Sequence, residues 1–544
     1  MKYSGTKTLA VARRVLAVFV LAAVTLIFLD FTGLFRSWLG WLAKIQFLPA
    51  VLAANFAVIA AILVVTILFG RVYCSVICPL GIFQDGVSRL SGKRQKGKKR
   101  LRFHWRKEHK WPRYVIWGVF IITLLAGLQW FVALLAPYSA YGRIVTNLFQ
   151  PVYRGVNNLL AGLSARWNNY AFYPKEVWLK SLPTFIVAAV TFIALAVTAW
   201  LSGREYCNTV CPVGTTLSFF SRFAMFRPVI DEEKCKNCRL CERGCKSSCI
   251  DIANHKIDYS RCVDCFNCLG ECKFDALHYR FAWGRGGDSS ASLRMTGKKA
   301  QNDKGEARND KREPQNDKGV DRNDKREAQN GTGADAGRRA FITTGVMLAG
   351  ALALDAQDKK LDGGFAPIIR KREPERSVRL VPPGAVSPDR FYSHCTACGL
   401  CIAACPNKVL RPSGDLEHLM MPYMSYESGY CRPECTKCSQ VCPAGAILPI
   451  SPEEKTQVQI GIASVNYDRC VVNADGVSCG NCSRHCPAGA ITMVPKDPSD
   501  KDSPKIPTVD GTLCIGCGAC ENLCPASPLS AISVNGRHLH TDNR

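Results

Sequence analysis

"GRVYCSVICPLG" runs from Gly70 to Gly81, and "GREYCNTVCPVG" runs from Gly203 to Gly214. Both carry Gly-Arg, a Tyr, two cysteines four apart and a Cys-Pro step at matching offsets. Ser88-Arg89 and Ser221-Arg222 follow at the same distance downstream. A repeat of this kind marks tandem copies of one unit. Two apolar runs precede each motif: Val15–Phe35 and Leu52–Phe69, then Tyr114–Ala136 and Thr184–Leu201. Each is long enough to span a bilayer, for which about 20 residues suffice. The expected fold is a membrane α-helical bundle of four transmembrane helices with pseudo-twofold symmetry. An even number of spans per unit leaves both cysteine motifs on one face of the membrane.

Charge agrees with that reading. The chain has 544 residues, more than one compact core holds, and a net charge of +26. The excess is local: the loop from Arg89 to Arg113, "RLSGKRQKGKKRLRFHWRKEHKWPR", has Glu108 as its sole acid. Basic loops beside apolar runs follow the positive-inside pattern, so this loop belongs in the cytoplasm. The N-terminal Lys2, Lys7, Arg13 and Arg14 then share that side, while the loops around Lys44 and 138–183 face outward. After Gln357 acids and bases nearly balance. No basic surface remains for nucleic acid, which is excluded as a partner.

The 29 cysteines are not spaced as a disulfide framework. Residues 231–285 carry Cys235, Cys238, Cys241, Cys245 and then Cys262, Cys265, Cys268, Cys272, each run being C-x2-C-x2-C-x3-C. This is two-cluster ferredoxin spacing, in which the fourth thiolate of a run reaches the neighbouring cube. One [4Fe–4S] cluster is therefore expected on Cys235, Cys238, Cys241 and Cys272. A second is expected on Cys262, Cys265, Cys268 and Cys245. Zinc also takes C-x2-C pairs, but two complete runs in succession argue for cubes. Two departures stand out: Lys246 and Lys273 replace the usual proline after the fourth cysteines, and Cys249 is left over. Cys249 reads as a small structural residue.

Four more runs follow: Cys395, Cys398, Cys401, Cys405; Cys431, Cys435, Cys438, Cys442; Cys470, Cys479, Cys482, Cys486; and Cys514, Cys517, Cys520, Cys524. All end in Cys-Pro and together supply ligands for four cubes, bringing the expected total to six. His394 and His485 adjoin ligands, but complete thiol sets leave them as surface or supporting residues. This region resembles the four-cluster periplasmic ferredoxins of the NapG type. The resemblance implies that the first run pairs with the fourth and the second with the third. Cys524 would then complete the first run's cube and Cys405 the fourth's, while Cys486 would complete the second's and Cys442 the third's.

Cys74 and Cys78, like Cys207 and Cys211, lie on one helical face if the spans continue. Three readings stay open: ligands of an additional metal or cluster, a redox-active dithiol, or packing residues. With the paired C-x3-C-P motifs and the trailing two-cluster domain, residues 10–280 resemble the NapH-type membrane quinol dehydrogenases. The NosR and CcoG types share these motifs. Arg71, Arg204, Tyr73 and Tyr206 are candidates for a quinone site or for membrane-interface anchors.

Between the halves lies a polar linker, 286–337, with a 14-residue repeat (Gln301–Pro314, Gln315–Ala328), expected to be disordered. "GRRAFITTGVMLAGALALDAQ" begins at Gly337, and its 338–356 segment is similar to a twin-arginine export signal serving as an anchor. The expected organisation is a membrane domain (1–230), a two-cluster ferredoxin (231–285), the linker, the anchor and a four-cluster ferredoxin (357–544). Both ferredoxin domains are expected to be α+β. The resemblances imply a multi-pass protein of the bacterial inner membrane, with 231–337 cytoplasmic and 357–544 periplasmic. Its partners would be membrane lipid, the quinol pool and a periplasmic reductase or cytochrome, and quinone would be a further cofactor. The alternatives are a metal-reducing maturation factor of the CcoG type and, last, a NosR-like redox regulator.

Overall fold

The computed structural model describes residues 3–30, 33–94, 103–108, 110–167, 181–282, 371–500 and 503–542. The linker, the twin-arginine-like segment and part of the basic loop lie outside them. The described residues before the linker and those from Lys371 onward belong to one compact unit.

The principal helices of the N-terminal half are α1 (Tyr3–Leu29), α2 (Phe56–Phe69), α3 (Val72–Val76), α4 (Pro79–Arg94), α5 (Lys110–Leu125), α6 (Gln129–Leu135), α7 (Pro137–Ile144), α8 (Leu182–Ser202), α9 (Glu205–Thr209) and α10 (Pro212–Ser221). Among the described residues, two helices are long and apolar enough to cross a membrane: α1 over Thr8–Leu29, and α8. The other two expected spans are interrupted. Ala54 takes a positive φ, and Asn55 then caps α2 by accepting from the Val58 N–H at 3.3 Å, leaving a helix of 14 residues. The run Tyr114–Ala136 divides at Gly127 (φ 77), where the Leu128 N–H turns back to the Thr123 carbonyl at 2.9 Å. Hydropathy reports apolar content but not these left-handed breaks.

The sequence repeat is a structural repeat. In each copy an apolar helix (α2 or α8) ends at a positive-φ glycine. A short helix (α3 or α9) then carries the first cysteine, and Pro79 or Pro212 opens the next helix. Proline suits a first helical turn because its missing N–H has no partner there anyway. The glycines also allow close approach: a Cβ on Gly70 would collide with an Asp264 carboxylate oxygen, and one on Gly203 would meet the Lys246 carbonyl at 2.6 Å. Both contacts come from the following two-cluster domain. That domain is closed by the antiparallel strands Phe226–Ile230 and Leu277–Phe281.

The C-terminal half is built from antiparallel pairs, Leu410–Pro412 with Pro422–Met424, Ile491–Pro495 with Lys505–Val509, and Val458–Val465 with Ile532–Asp542. The last pair ties the C-terminal strand to the segment between the second and third cysteine runs.

One buried carboxylate joins three parts of the chain. Asp85, on α4, takes Arg13 of α1 at 3.1 Å, Arg204 of the second repeat at 2.8 Å and Lys246 of the two-cluster domain at 3.5 Å. Burial alone would push this carboxyl up, but Arg204 and then Lys246 and Arg13 outweigh it and hold it well below the usual range. Its contribution to stability is therefore complete above the ordinary carboxylate pKa and is lost only as pH falls below it. Asp85→Asn leaves three buried cations without their counter-ion, at an expected cost of about 3–5 kcal/mol. Thermal unfolding in detergent checks this: a marked drop is expected, and an unchanged midpoint would show that the cations find other partners.

Candidate electron-transfer site

Four of the six cysteine runs fold around a space because of where their backbone turns left-handed. In the two intact runs of the first domain the positive-φ residues are Asn237 and Arg239, then Asp264 and Phe266. In the first and last runs of the second domain they are Ala397 and Gly399, then Gly516 and Gly518. All occupy the same two offsets, immediately before and immediately after the run's second cysteine. This wraps the loop around the thiols, and the third sits on a short helix capped by the fourth cysteine or, in the first run, by Gly244 just before it.

In the first domain the expected sets come together. Cys235, Cys238, Cys241 and Cys272 line one cavity; Cys262, Cys265, Cys268 and Cys245 line another. Cys249 lies in the second cavity with its Sγ 3.4 Å from that of Cys245, so it touches a candidate ligand. Asp264 stands in the same cavity, where burial pushes its carboxyl up to about 7 against the opposing effect of the Arg71 backbone N–H.

In the second domain the structure departs from the expected pairing. Cys442, not Cys524, stands in electrostatic reach of Cys395, Cys398 and Cys401. Cys405 stands with Cys431, Cys435 and Cys438. Cys486 lines a cavity with Cys514, Cys517 and Cys520, and Cys524 lines one with Cys470, Cys479 and Cys482. Neighbouring runs therefore exchange their fourth thiols, first with second and third with fourth. The physical reason is local: each pair repeats the short crossover of a two-cluster domain. The pairs meet where the Cys431 N–H donates to the Cys517 carbonyl at 3.0 Å. Four sets thus stand in series, the first run's at one end and the third run's at the other. Backbone N–H groups of Ala276, Ala397, Ala463 and Ala531 point at Cys272, Cys395, Cys514 and Cys524 at 3.3–3.5 Å, the kind of contact that tunes a cluster's potential.

The two cysteine-rich domains meet opposite ends of α1. Near its N-terminal end Arg13 joins the Asp85 knot. Near its other end Phe28 packs on Tyr138 of α7, and a Cβ on Gly142 would collide with the Cys398 carbonyl. Arg36 donates to the Ala403 carbonyl at 3.3 Å beside it. From Arg13 to Phe28 the helix rises about 22 Å.

Cys74, Cys78, Cys207 and Cys211 are all buried between these ends. Arg71 and Arg204 are fully buried, and Tyr73 nearly so. They are not membrane-interface anchors. Arg71 donates to Asn208 Oδ1, the Ser260 carbonyl and the Cys207 carbonyl at 3.0–3.1 Å, while Arg204 donates to the Cys74 carbonyl at 2.8 Å. Tyr73 donates to Gln46 at 3.1 Å, and Tyr206 to the Leu135 carbonyl at 3.1 Å. His394 Nδ1 meets the Arg390 carbonyl at 2.9 Å, and His485 is exposed. Lys246, which replaces the usual proline after Cys245, ties the first domain to Asp85.

The new pairing has a spectroscopic consequence. Cys442→Ser is expected to alter the same electron paramagnetic resonance (EPR) signal as Cys395→Ser, and Cys524→Ser the same signal as Cys470→Ser. If Cys524→Ser instead alters the signal assigned by Cys395→Ser, the pairing is wrong.

The family model described as "4Fe-4S binding domain" matches residues 51–98 and 184–229, which are the two C-x3-C-P units. That described as "4Fe-4S dicluster domain" matches 394–446 and 477–527, each containing cysteines from one of the run pairs seen in the structure. An uncharacterized protein of Methanocaldococcus jannaschii is 29% identical over 46% of this chain and 79% of its own length. The methylamine utilization ferredoxin-type protein MauM of Methylobacillus flagellatus is 34% identical over 32% of this chain and 74% of its own. The ferredoxin-type protein NapG of Escherichia coli is 33% identical over 35% of this chain and 81% of its own. No solved structure matches. Matched thiol sets, iron–sulfur family models and these relatives converge: the chain belongs to the MauM/NapG family of ferredoxin-type iron–sulfur electron-transfer proteins.

Proposed function

We propose that this protein is a membrane-bound electron conduit that oxidises quinol at its helical half and delivers the electrons to an external reductase or cytochrome. The observation that carries this reading is the docking of two cysteine-rich domains at opposite ends of one apolar helix, with their thiol sets arranged in series. Each quinol yields two electrons and two protons, and the [4Fe–4S] cubes supply one-electron transfer between such a donor and a one-electron acceptor. The chain's own residues hold spacing and environment. Left-handed turns shape four of the sets, amide N–H groups at Cys272, Cys395, Cys514 and Cys524 tune theirs, and exposed Cys238 brings the first domain's outer set to the surface.

In this reading six cubes are bound, the chain crosses the bacterial inner membrane several times, and 338–356 serves as an export-type anchor. Residues 357–544 then face outward. A reporter fused after Glu313 is expected to read cytoplasmic, and one after Arg544 external. Two cytoplasmic readings would place the four-set domain beside an internal acceptor instead.

The activity itself is tested on anaerobically purified full-length protein. A quinol analogue is expected to reduce several cubes, with EPR signals from both domains. No reduction by quinol, together with reduction of Cu(II), would replace this reading with a metal-reducing maturation role.

A further inference from the structure

We infer that Cys74, Cys78, Cys207 and Cys211 jointly hold one further iron–sulfur centre, built from half a ligand set in each repeat. Neither C-x3-C-P unit can supply four thiols alone. The fold brings the two halves together: Cys211 stands in electrostatic reach of Cys207, Cys78 and Cys74, and Cys78 of Cys74 and Cys207. All four are buried, at 4–5% exposure.

The surroundings are made for a negative group. The two repeat arginines cross over, Arg71 holding the carbonyl of Cys207 and Arg204 that of Cys74. Each repeat thus fixes the other's first cysteine. Arg71 Nη2 also lies 4.0 Å from Cys74 Sγ. The Gly214 N–H donates to Cys211 Sγ at 3.4 Å, the same contact that the ferredoxin sets receive. Gln84 is fully buried with its amide against Cys207, whose thiol donates to Oε1 at 3.4 Å; the donors that await an acceptor are its Nε2 and Arg204 Nη2, neither of which has a hydrogen-bond partner. Unpaired buried donors are costly unless something accepts from them. A cluster on four thiolates, negatively charged overall and rich in sulfur acceptors, meets that need better than neutral thiols do.

Position gives the centre a role. On one side, Arg204 lies within electrostatic reach of Cys265, and Arg71 binds the Ser260 carbonyl beside that set. On the other, Tyr73 neighbours Tyr138, which neighbours Cys398 and Cys442. The site would link the two series of cubes across the helical half. Its role as a link rests on the conduit reading above, but its existence does not.

The test counts iron and acid-labile sulfide in anaerobically purified full-length protein and in the Cys78→Ala/Cys211→Ala double variant. The variant is expected to lose about two to four irons per chain with matching sulfide, the content of a [2Fe–2S] or [4Fe–4S] group. EPR signals of the ferredoxin cubes after dithionite reduction should persist. If the double variant does not accumulate, Cys74→Ser, which keeps an oxygen ligand, is expected to shift one EPR or Mössbauer component and leave the others. Unchanged iron and sulfide, zinc at these thiols, or unshifted spectra in Cys74→Ser would overturn the inference. Loss of quinol reduction with iron content intact would count against the conduit and not against the centre.

Discussion

The architecture depends on a reciprocal exchange between the repeats. Arg204 leaves the second copy to bind Asp85 and the Cys74 carbonyl of the first, while Arg71 leaves the first to bind the Cys207 carbonyl of the second. These charges are buried, so each is stable only while its partners stay in place. Because Lys246 joins the same carboxylate, placing the repeats against each other also places the first ferredoxin domain. The ion pairs of the helical half thereby hold the cysteine groups of the repeats and of the first ferredoxin domain in fixed relation.

The cysteine-rich domains solve a different problem with a local device. Three thiols can face one point only if the loop curls tightly, and left-handed residues on either side of the second cysteine produce that curl. Glycine takes the position freely, whereas Asn237, Arg239, Asp264, Phe266 and Ala397 adopt it at some conformational cost. The altered second and third runs lack the pattern at the corresponding Thr436 and Gly480. Their thiols are gathered instead by longer loops and by their neighbours' fourth cysteines. The Cys431–Cys517 backbone contact then joins the two pairs into one series.

Much of this was legible in the sequence because it is local. Ligand spacing identifies the runs, and the matching offsets of Gly70 and Gly203, Arg71 and Arg204, and Pro79 and Pro212 identify the repeat. The pairing of the last four runs was not legible, since it depends on which loops cross in space. The breaks at Asn55 and Gly127 escaped because apolar content dominates a hydropathy reading. The burial of Arg71 and Arg204 escaped too, because arginine beside an apolar run ordinarily marks a membrane edge. One signal was available: lysine in place of proline after Cys245 departs from the ferredoxin pattern, and Lys246 is the residue that reaches Asp85.

In the proposed conduit, iron forms a continuous path from one cysteine-rich domain through the helical half to the other. The most direct measurement is a cryo-electron microscopy map of the anaerobically purified full-length protein. Strong metal density is expected at Cys74, Cys78, Cys207 and Cys211, between the cube sets at opposite ends of α1, with Cys442 completing the first run's cube. A map with no density at those four thiols, or with both ferredoxin domains docked at one end of α1, would contradict it.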